Sequence, residues 1–331
     1  MSSSGTRPLV VVYDPITSIR WDYDHERAEL GARDVRFELA DTPERQRELL
    51  PQADVVIVSQ RLPDDALATM SNCCGIQCYS VGMDGVNADL AAEMGITISN
   101  VPGYCTEEVS DHGIALLMAL QRVIVPFATA AAAGSWAIHD RGDFYTIRRI
   151  CDTTLGVIGV GRIGSRTAEK ARGLGMTTIG YDPYADQASL PDVELLELDE
   201  VLRRADAVIL CAALTSGSEN LIGAAELAHM RPDALLVNVA RGGLIDEAAL
   251  ADALRNGRLR GAGLDVRSPE PPDSTSDPLR GLDNVVLTQH VGSVSMEAFR
   301  DMHHLAIGHV IRMLEADGRI PAANNSEGAT S

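Results

Sequence analysis

A glycine-rich signature at mid-chain, Gly159-Val160-Gly161-Arg162-Ile163-Gly164, constrains this sequence more than any other feature. The apolar run Leu155 to Val160 reads as a buried strand, and Ser165 to Leu174 reads as the helix that follows the glycines. In a strand–G-x-G-x-x-G–helix unit each glycine has its own task. Gly159 permits the tight turn, Gly161 lets the backbone approach a pyrophosphate, and Gly164 lets helix and strand pack closely. The phosphates then lie on the first amides of the helix, where the dipole favours anions. Asp182 follows Gly164 by 18 residues, at the end of a second short strand, Thr177 to Tyr181. An acid there hydrogen-bonds the adenosine ribose and repels a 2′-phosphate, so NAD is expected rather than NADP. A glycine-rich turn beside an unrelated surface aspartate is the alternative for a lone motif. The ordered strand, turn, helix, strand and acid argue against it.

The chain has 331 residues, 45% of them hydrophobic, which is enough for two domains with cores of their own. A formal charge of −19 argues against a nucleic-acid backbone or an anionic membrane as partner. An anionic substrate must then be captured by local positive groups. Cysteines at 73, 74, 78, 105, 151 and 211 lack paired C-x-x-C spacing, so reduced and mostly packed thiols are expected, with no disulfide framework and no metal site. Met1 to Pro8 has no apolar core and reads as a disordered tail. The most apolar stretch, Ile114 to Trp136, is interrupted by Gln121, Arg122 and Pro126, and a buried helical region is expected there rather than a membrane span. A cytoplasmic location follows from these readings.

Short apolar runs at 9–13, 35–37, 55–58, 76–79 and 96–99 alternate with helical stretches, predicting a parallel sheet ahead of the glycine motif. A second series near 154–160, 177–182, 207–212, 234–239, 261–266 and 285–290 predicts a six-stranded doubly wound sheet. Thr106 is expected to cap a long helix, with Glu107 and Glu108 in its first turn. The amphipathic segment Met296 to Ala316 has no strand after it and is expected to fold back on the first domain; the chain beyond Arg319 reads as low in order. The expected architecture is α/β with two parallel-sheet domains. A flavodoxin-like substrate domain (1–101 and 297–331) carries an inserted Rossmann NAD-binding domain (102–296).

Three blocks place polar residues at the ends of late strands, where open α/β sheets bind ligands. Arg241, in Asn238-Val-Ala-Arg-Gly-Gly243, can grip a carboxylate bidentately or simply cap its loop. Glu270 lies between prolines after the strand 261–266, on stiff backbone suited to a side chain held in register. His290 ends the strand 285–290, and histidine is matched to proton transfer near neutral pH, although a lone histidine is more often structural. The other seven histidines show no comparable setting, and His303 with His304 read as a helix face.

Together with Gly159 to Gly164, the motifs Asn238-Val-Ala-Arg-Gly-Gly243, Asp265 to Pro271 and Thr288-Gln-His-Val-Gly292 resemble those of the D-isomer-specific 2-hydroxyacid dehydrogenases. That family includes phosphoglycerate dehydrogenases, glyoxylate/hydroxypyruvate reductases and C-terminal-binding proteins. The resemblance runs from about Val55 to Leu314 and includes Ser80-Val-Gly-Met-Asp84 and Asn100 to His112. It implies an NAD-dependent enzyme that interconverts a small anionic 2-oxo acid and its (R)-2-hydroxy acid. Arg241 would bind substrate, His290 would be the acid/base and Glu270 would orient and tune it. The amides around Val81 and Gly82 would take the substrate carboxylate. Arg162, Ile163, Asp182, Thr215, Ala240 and Asp265 would contact the cofactor, and a homodimer would form through the helices after Cys105. Gln289, Ala213, Ser80 and Arg267 depart from the family's usual residues. Arg267 stands where an aromatic is common and is expected to be solvated or an extra anion contact. Arg61 is placed to reach a substrate's distal group. Formate dehydrogenases typically carry glutamine at the position of Glu270, so this chain departs from them. A corepressor or scaffold that uses NAD(H) only as a conformational ligand remains the alternative from another class.

Overall fold

The computed structural model describes residues 7–13, 21–136 and 146–322. Residues 1–6 of the expected N-terminal tail, and the tail from 323 onward, lie outside them. The chain divides into two compact units, one formed by Met1–Tyr104 and Met296–Ser331, the other by Cys105–Ser295.

The first unit is built on five parallel strands, β1 (Leu9–Tyr13), β2 (Arg36–Ala40), β3 (Val55–Val58), β4 (Gly75–Cys78) and β5 (Thr97–Ser99), in the order β2-β1-β3-β4-β5. Strands β1, β3 and β4 are buried along their whole length, which is why β1 and β3 read as unbroken apolar runs rather than as alternation; β4 is interrupted by the buried Gln77. The helix Met296–Ala316 packs on β3, β4 and the helix Asp24–Gly31. Its buried residues Met302, Ala306, Ile307, Val310, Ile311 and Leu314 recur at the helical period and share a core with Val10, Val12 and Ile57.

The second unit holds seven parallel strands: β6 (Thr154–Ile158), β7 (Thr177–Tyr181), β8 (Glu194–Leu195), β9 (Ala207–Leu210), β10 (Leu235–Asn238), β11 (Gly261–Leu264) and β12 (Val285–Leu287). They run in the order β12-β11-β10-β9-β6-β7-β8, so the winding reverses between β6 and β9. The crevice at that reversal, beyond the carboxyl ends of the strands, is where such sheets take ligands, and the glycine turn leaves β6 directly into it. Sequence pattern predicts six strands here. The seventh, β8, has only two residues at the sheet edge, too few to carry a period.

Two helical expectations need correction. The helix Thr106–Gln121 has Cys105 at its cap position, with Thr106 as its first helical residue, and Glu107 and Glu108 face the N-terminal dipole as expected. The apolar stretch beyond it is not buried throughout. Val123 takes φ +54°, a second helix spans Ile124–Ala132 with no buried residue, and Ile124 and Val125 are 51% and 44% exposed. No single helix among the described residues is long and apolar enough to cross a membrane, and these two are bent by 65°.

Candidate active site

The three motif glycines answer three different geometric demands. Gly159 turns the chain at φ +85° and donates its N–H to the Tyr181 carbonyl at 2.8 Å. A Cβ at Gly164 would fall 2.0 Å from the Gly159 oxygen, so only glycine lets the helix Arg162–Gly173 approach β6 this closely. At Gly161 a Cβ meets nothing within 4 Å, leaving the backbone open on that side. The first amides of this helix have no partner within it and aim the positive end of its dipole at the turn. The helix begins at Arg162, three residues before the run that sequence pattern picks out. Asp182, just past β7, accepts the Val160 N–H at 2.9 Å and the Tyr184 N–H at 3.0 Å, so its carboxylate is fastened to the glycine turn. Thr215, on the loop after β9, is exposed and its amide donates to Ser218 Oγ at 2.8 Å. These residues fit the adenosine and pyrophosphate of a dinucleotide: an open turn, unbonded amides at a helix start and an acid held at the second strand.

The late strands bring the next group together. His290 Nδ1 and Glu270 Oε1 are 2.8 Å apart, with both side chains partly exposed. His290 has φ +52°, and its N–H donates to the Asp265 carbonyl at 2.8 Å. The Asp265 carboxylate accepts the next two amides, Val291 at 2.9 Å and Gly292 at 2.8 Å, and the Thr288 hydroxyl at 2.6 Å. Sequence places Asp265 among the cofactor contacts; in the fold it is buried and both its oxygens serve the loop that carries His290. His112 supports the same carboxylate, with Nε2 3.0 Å from Thr288 Oγ1 and 3.3 Å from Asp265 Oδ1.

Arg241 follows β10, half buried, and its Nη1 donates to the Ala240 carbonyl at 2.8 Å. Asn238 shapes this turn, accepting the Ala240 N–H at 3.0 Å and donating to the Arg241 carbonyl at 2.8 Å. Arg267 contradicts both readings of it, as solvated or as an anion contact: it is buried and its guanidinium is taken by Glu247 and Asp277. In the first unit, Val81 and Gly82 lie on the loop after β4. Asn100 Nδ2 donates to the Val81 carbonyl and Ser80 Oγ to the Gly82 carbonyl, each at 2.5 Å, so both carbonyls are engaged. Arg61, beyond β3, is exposed.

Another cluster in the first unit escapes sequence reading. His303 lies on a helix, as its sequence reading has it, but is buried, stacks on Trp21 with centroids 4.2 Å apart, and is hydrogen-bonded to Glu26. Glu26 also accepts from Trp21 Nε1 and Tyr79 Oη, each at 3.3 Å. Nothing in the sequence links positions so far apart.

Residues 114–292 match the D-isomer specific 2-hydroxyacid dehydrogenase, NAD binding domain. Glycerate dehydrogenase of Methylorubrum extorquens is 35% identical over 80% of this chain and 83% of its own. The chain belongs to the D-isomer-specific 2-hydroxyacid dehydrogenases. D-3-phosphoglycerate dehydrogenase of Mycobacterium tuberculosis is 34% identical over 89% of this chain, which spans only 56% of that protein's length. D-lactate dehydrogenase with NAD+ from Lactobacillus jensenii superposes with a TM-score of 0.74 at 26% identity, covering 93% of this dehydrogenase and 97% of that chain. Membership in this family makes NAD the cofactor and favours an oxidoreductase of 2-hydroxy acids over a non-catalytic NAD(H) sensor.

Proposed function

We propose that this dehydrogenase reduces a small anionic 2-oxo acid to its (R)-2-hydroxy acid, with His290 as acid/base, Glu270 as its partner and Arg241 as the substrate anchor. The 2.8 Å contact between Glu270 and His290 carries the reading, because it sits in the same unit as a turn built for a dinucleotide. NADH bound at that turn supplies the hydride for the substrate's second carbon. With Nδ1 engaged by Glu270, Nε2 is the ring nitrogen left to face the substrate oxygen. It gives that oxygen a proton in reduction and takes one back in oxidation. The Glu270 carboxylate fixes the ring orientation through that contact. Arg241 takes the substrate carboxylate through its guanidinium fork. Arg162, Ile163, Asp182, Thr215 and Ala240 hold the cofactor. Asp265 serves it through the loop it braces.

A homodimer belongs to the same reading, supported by the exposed apolar residues Ile124 and Val125 on a helix with no buried face. So does a cytoplasmic location, supported by six free cysteines. Steady-state turnover of glyoxylate, pyruvate and hydroxypyruvate with NADH tests the function. Reduction of at least one at a rate abolished by His290→Ala is expected. A chain that binds NADH tightly and reduces none of a broad 2-oxo acid panel is a sensor instead.

A further inference from the structure

Arg267 is a buried cation at the foot of the segment that carries Glu270. Its side chain is 6% exposed, and those of its partners Glu247 and Asp277 are 11% and 8% exposed. Nε and Nη2 donate to the two Glu247 oxygens at 3.0 and 2.8 Å, and Nη2 and Nη1 donate to the two Asp277 oxygens at 2.6 and 3.3 Å. Both carboxylates are thus engaged in fork geometry, which an ammonium cannot reproduce. Burial opposes the charge on Arg267, yet its hydrogen bonds to Glu247 and Asp277 outweigh it and hold the guanidinium firmly protonated.

The two acids belong to separate pieces of chain. Glu247 opens the helix Glu247–Arg255, whose cap Asp246 accepts the Ala248 and Ala249 amides. Asp277 accepts the Leu279 amide at 3.0 Å, beyond the proline segment. Glu247 Oε1 also accepts the Ser268 N–H at 2.9 Å, so one carboxylate grips both the Arg267 side chain and the next peptide. That peptide lies against the Arg241 turn: a Cβ at Gly242 would fall 2.0 Å from the Arg267 carbonyl carbon and 2.6 Å from Ser268 N. The backbone from Ser268 to Pro272 is therefore pinned at its start to a capped helix and to the turn after β10. Through Asp277 it is pinned again beyond its end.

We propose that Arg267 is a positioning residue for the acid/base pair, a buried guanidinium clamp between Glu247 and Asp277 that sets the Pro269–Pro272 segment so that Glu270 meets His290. The proposal rests on the reading of Glu270 and His290 as that pair. A displacement of Glu270 by about 1 Å breaks a 2.8 Å contact, and misplacement on that scale costs up to about a hundredfold in rate.

The test is a double-mutant cycle between Arg267→Leu and Glu270→Gln, reading kcat/KM against pH for the 2-oxo acid that wild type reduces fastest, with NADH affinity measured alongside. Arg267→Leu is expected to lower kcat/KM by roughly ten- to hundredfold, with NADH affinity kept within about threefold and the pH profile moved onto that of Glu270→Gln. Added to Glu270→Gln, it should cost less than about threefold more, since the two act through one contact. Arg267→Lys keeps the charge and loses the fork, so it should restore part of the rate and of the profile. It also stands in if the leucine variant does not fold. Effects that multiply in the double mutant, or a wild-type profile in a folded Arg267 variant, overturn the proposal. If Glu270→Gln alone leaves the profile unchanged, the acid/base reading fails first and the clamp has nothing to position.

Discussion

His290 and Asp265 are joined through the backbone: the histidine, at φ +52°, donates its N–H to the Asp265 carbonyl, and the Asp265 carboxylate takes the two amides that follow. A non-glycine residue in the left-handed region carries a conformational cost of roughly 1–2 kcal/mol, so the fold must hold it there. Asp265→Ala removes the acceptor for three donors at once. We expect kcat/KM to fall by at least about tenfold through misplacement of His290, with NADH affinity nearly unchanged. Loss of NADH affinity in proportion to activity would instead make Asp265 a direct cofactor contact.

Glu270→Gln keeps a hydrogen bond to His290 and removes the charge. The neutral amide can hold the ring but cannot balance charge that develops on it during proton transfer, so kcat/KM should fall by about tenfold or more in both directions and its dependence on pH should change. Measured in both directions, with a deuterated-cofactor isotope effect confirming that chemistry limits, superimposed profiles would sink the assignment.

Arg241→Ala leaves an anionic substrate without its fork in a protein of formal charge −19. The expected loss in kcat/KM corresponds to about 2–5 kcal/mol, with little change in NADH binding. A decrease under tenfold returns Arg241 to a loop-capping role.

Asp182 has two duties, since it also anchors the Val160 and Tyr184 amides. Asp182→Asn retains an acceptor and removes the charge that opposes a 2′-phosphate. The NADH-over-NADPH preference in kcat/KM should narrow by about tenfold or more, corresponding to roughly 1–2 kcal/mol of like-charge repulsion. Equal use of both cofactors by wild type contradicts the role given to this carboxylate.

The buried Glu26 predicts a pH-dependent stability. Burial pulls its carboxyl upward, but the hydrogen bond and charge of His303 outweigh that and leave it below the ordinary value of 4.5. A depressed acid stabilises the fold above its unfolded value and loses that contribution as pH falls through the folded one. Glu26→Gln should therefore cost about 1–3 kcal/mol at pH 7 in urea unfolding, and the gap to wild type should narrow as pH falls below 4.5. A gap that widens on acidification reverses the sign.

Much of this was legible because its causes are local. The buried strands are apolar runs, the glycines stand at fixed spacing, and Arg241, Glu270 and His290 lie on strand-end turns with their own composition. What stayed hidden depends on distant partners. Nothing around Arg267 announces Glu247 and Asp277, and an arginine among prolines reads as surface. His303 and Glu26 meet only once the last helix returns to the first sheet. Strand β8 has no pattern to read, and the helix Ile124–Ala132 carries a core-like composition on an outward-facing element.

That return of the last helix also sets an order of events during synthesis. Strands β1 to β5 leave the ribosome before the entire cofactor-binding unit, whereas the helix that shares a core with Val10, Val12 and Ile57 emerges after it. At translation speeds of about 5–20 residues per second, one apolar face of the first sheet waits roughly 10–40 s for its cover. The inserted unit meanwhile has all its strands in hand. The nascent chain thus completes its second unit first, and the long pause of the first is where a chaperone has most to protect.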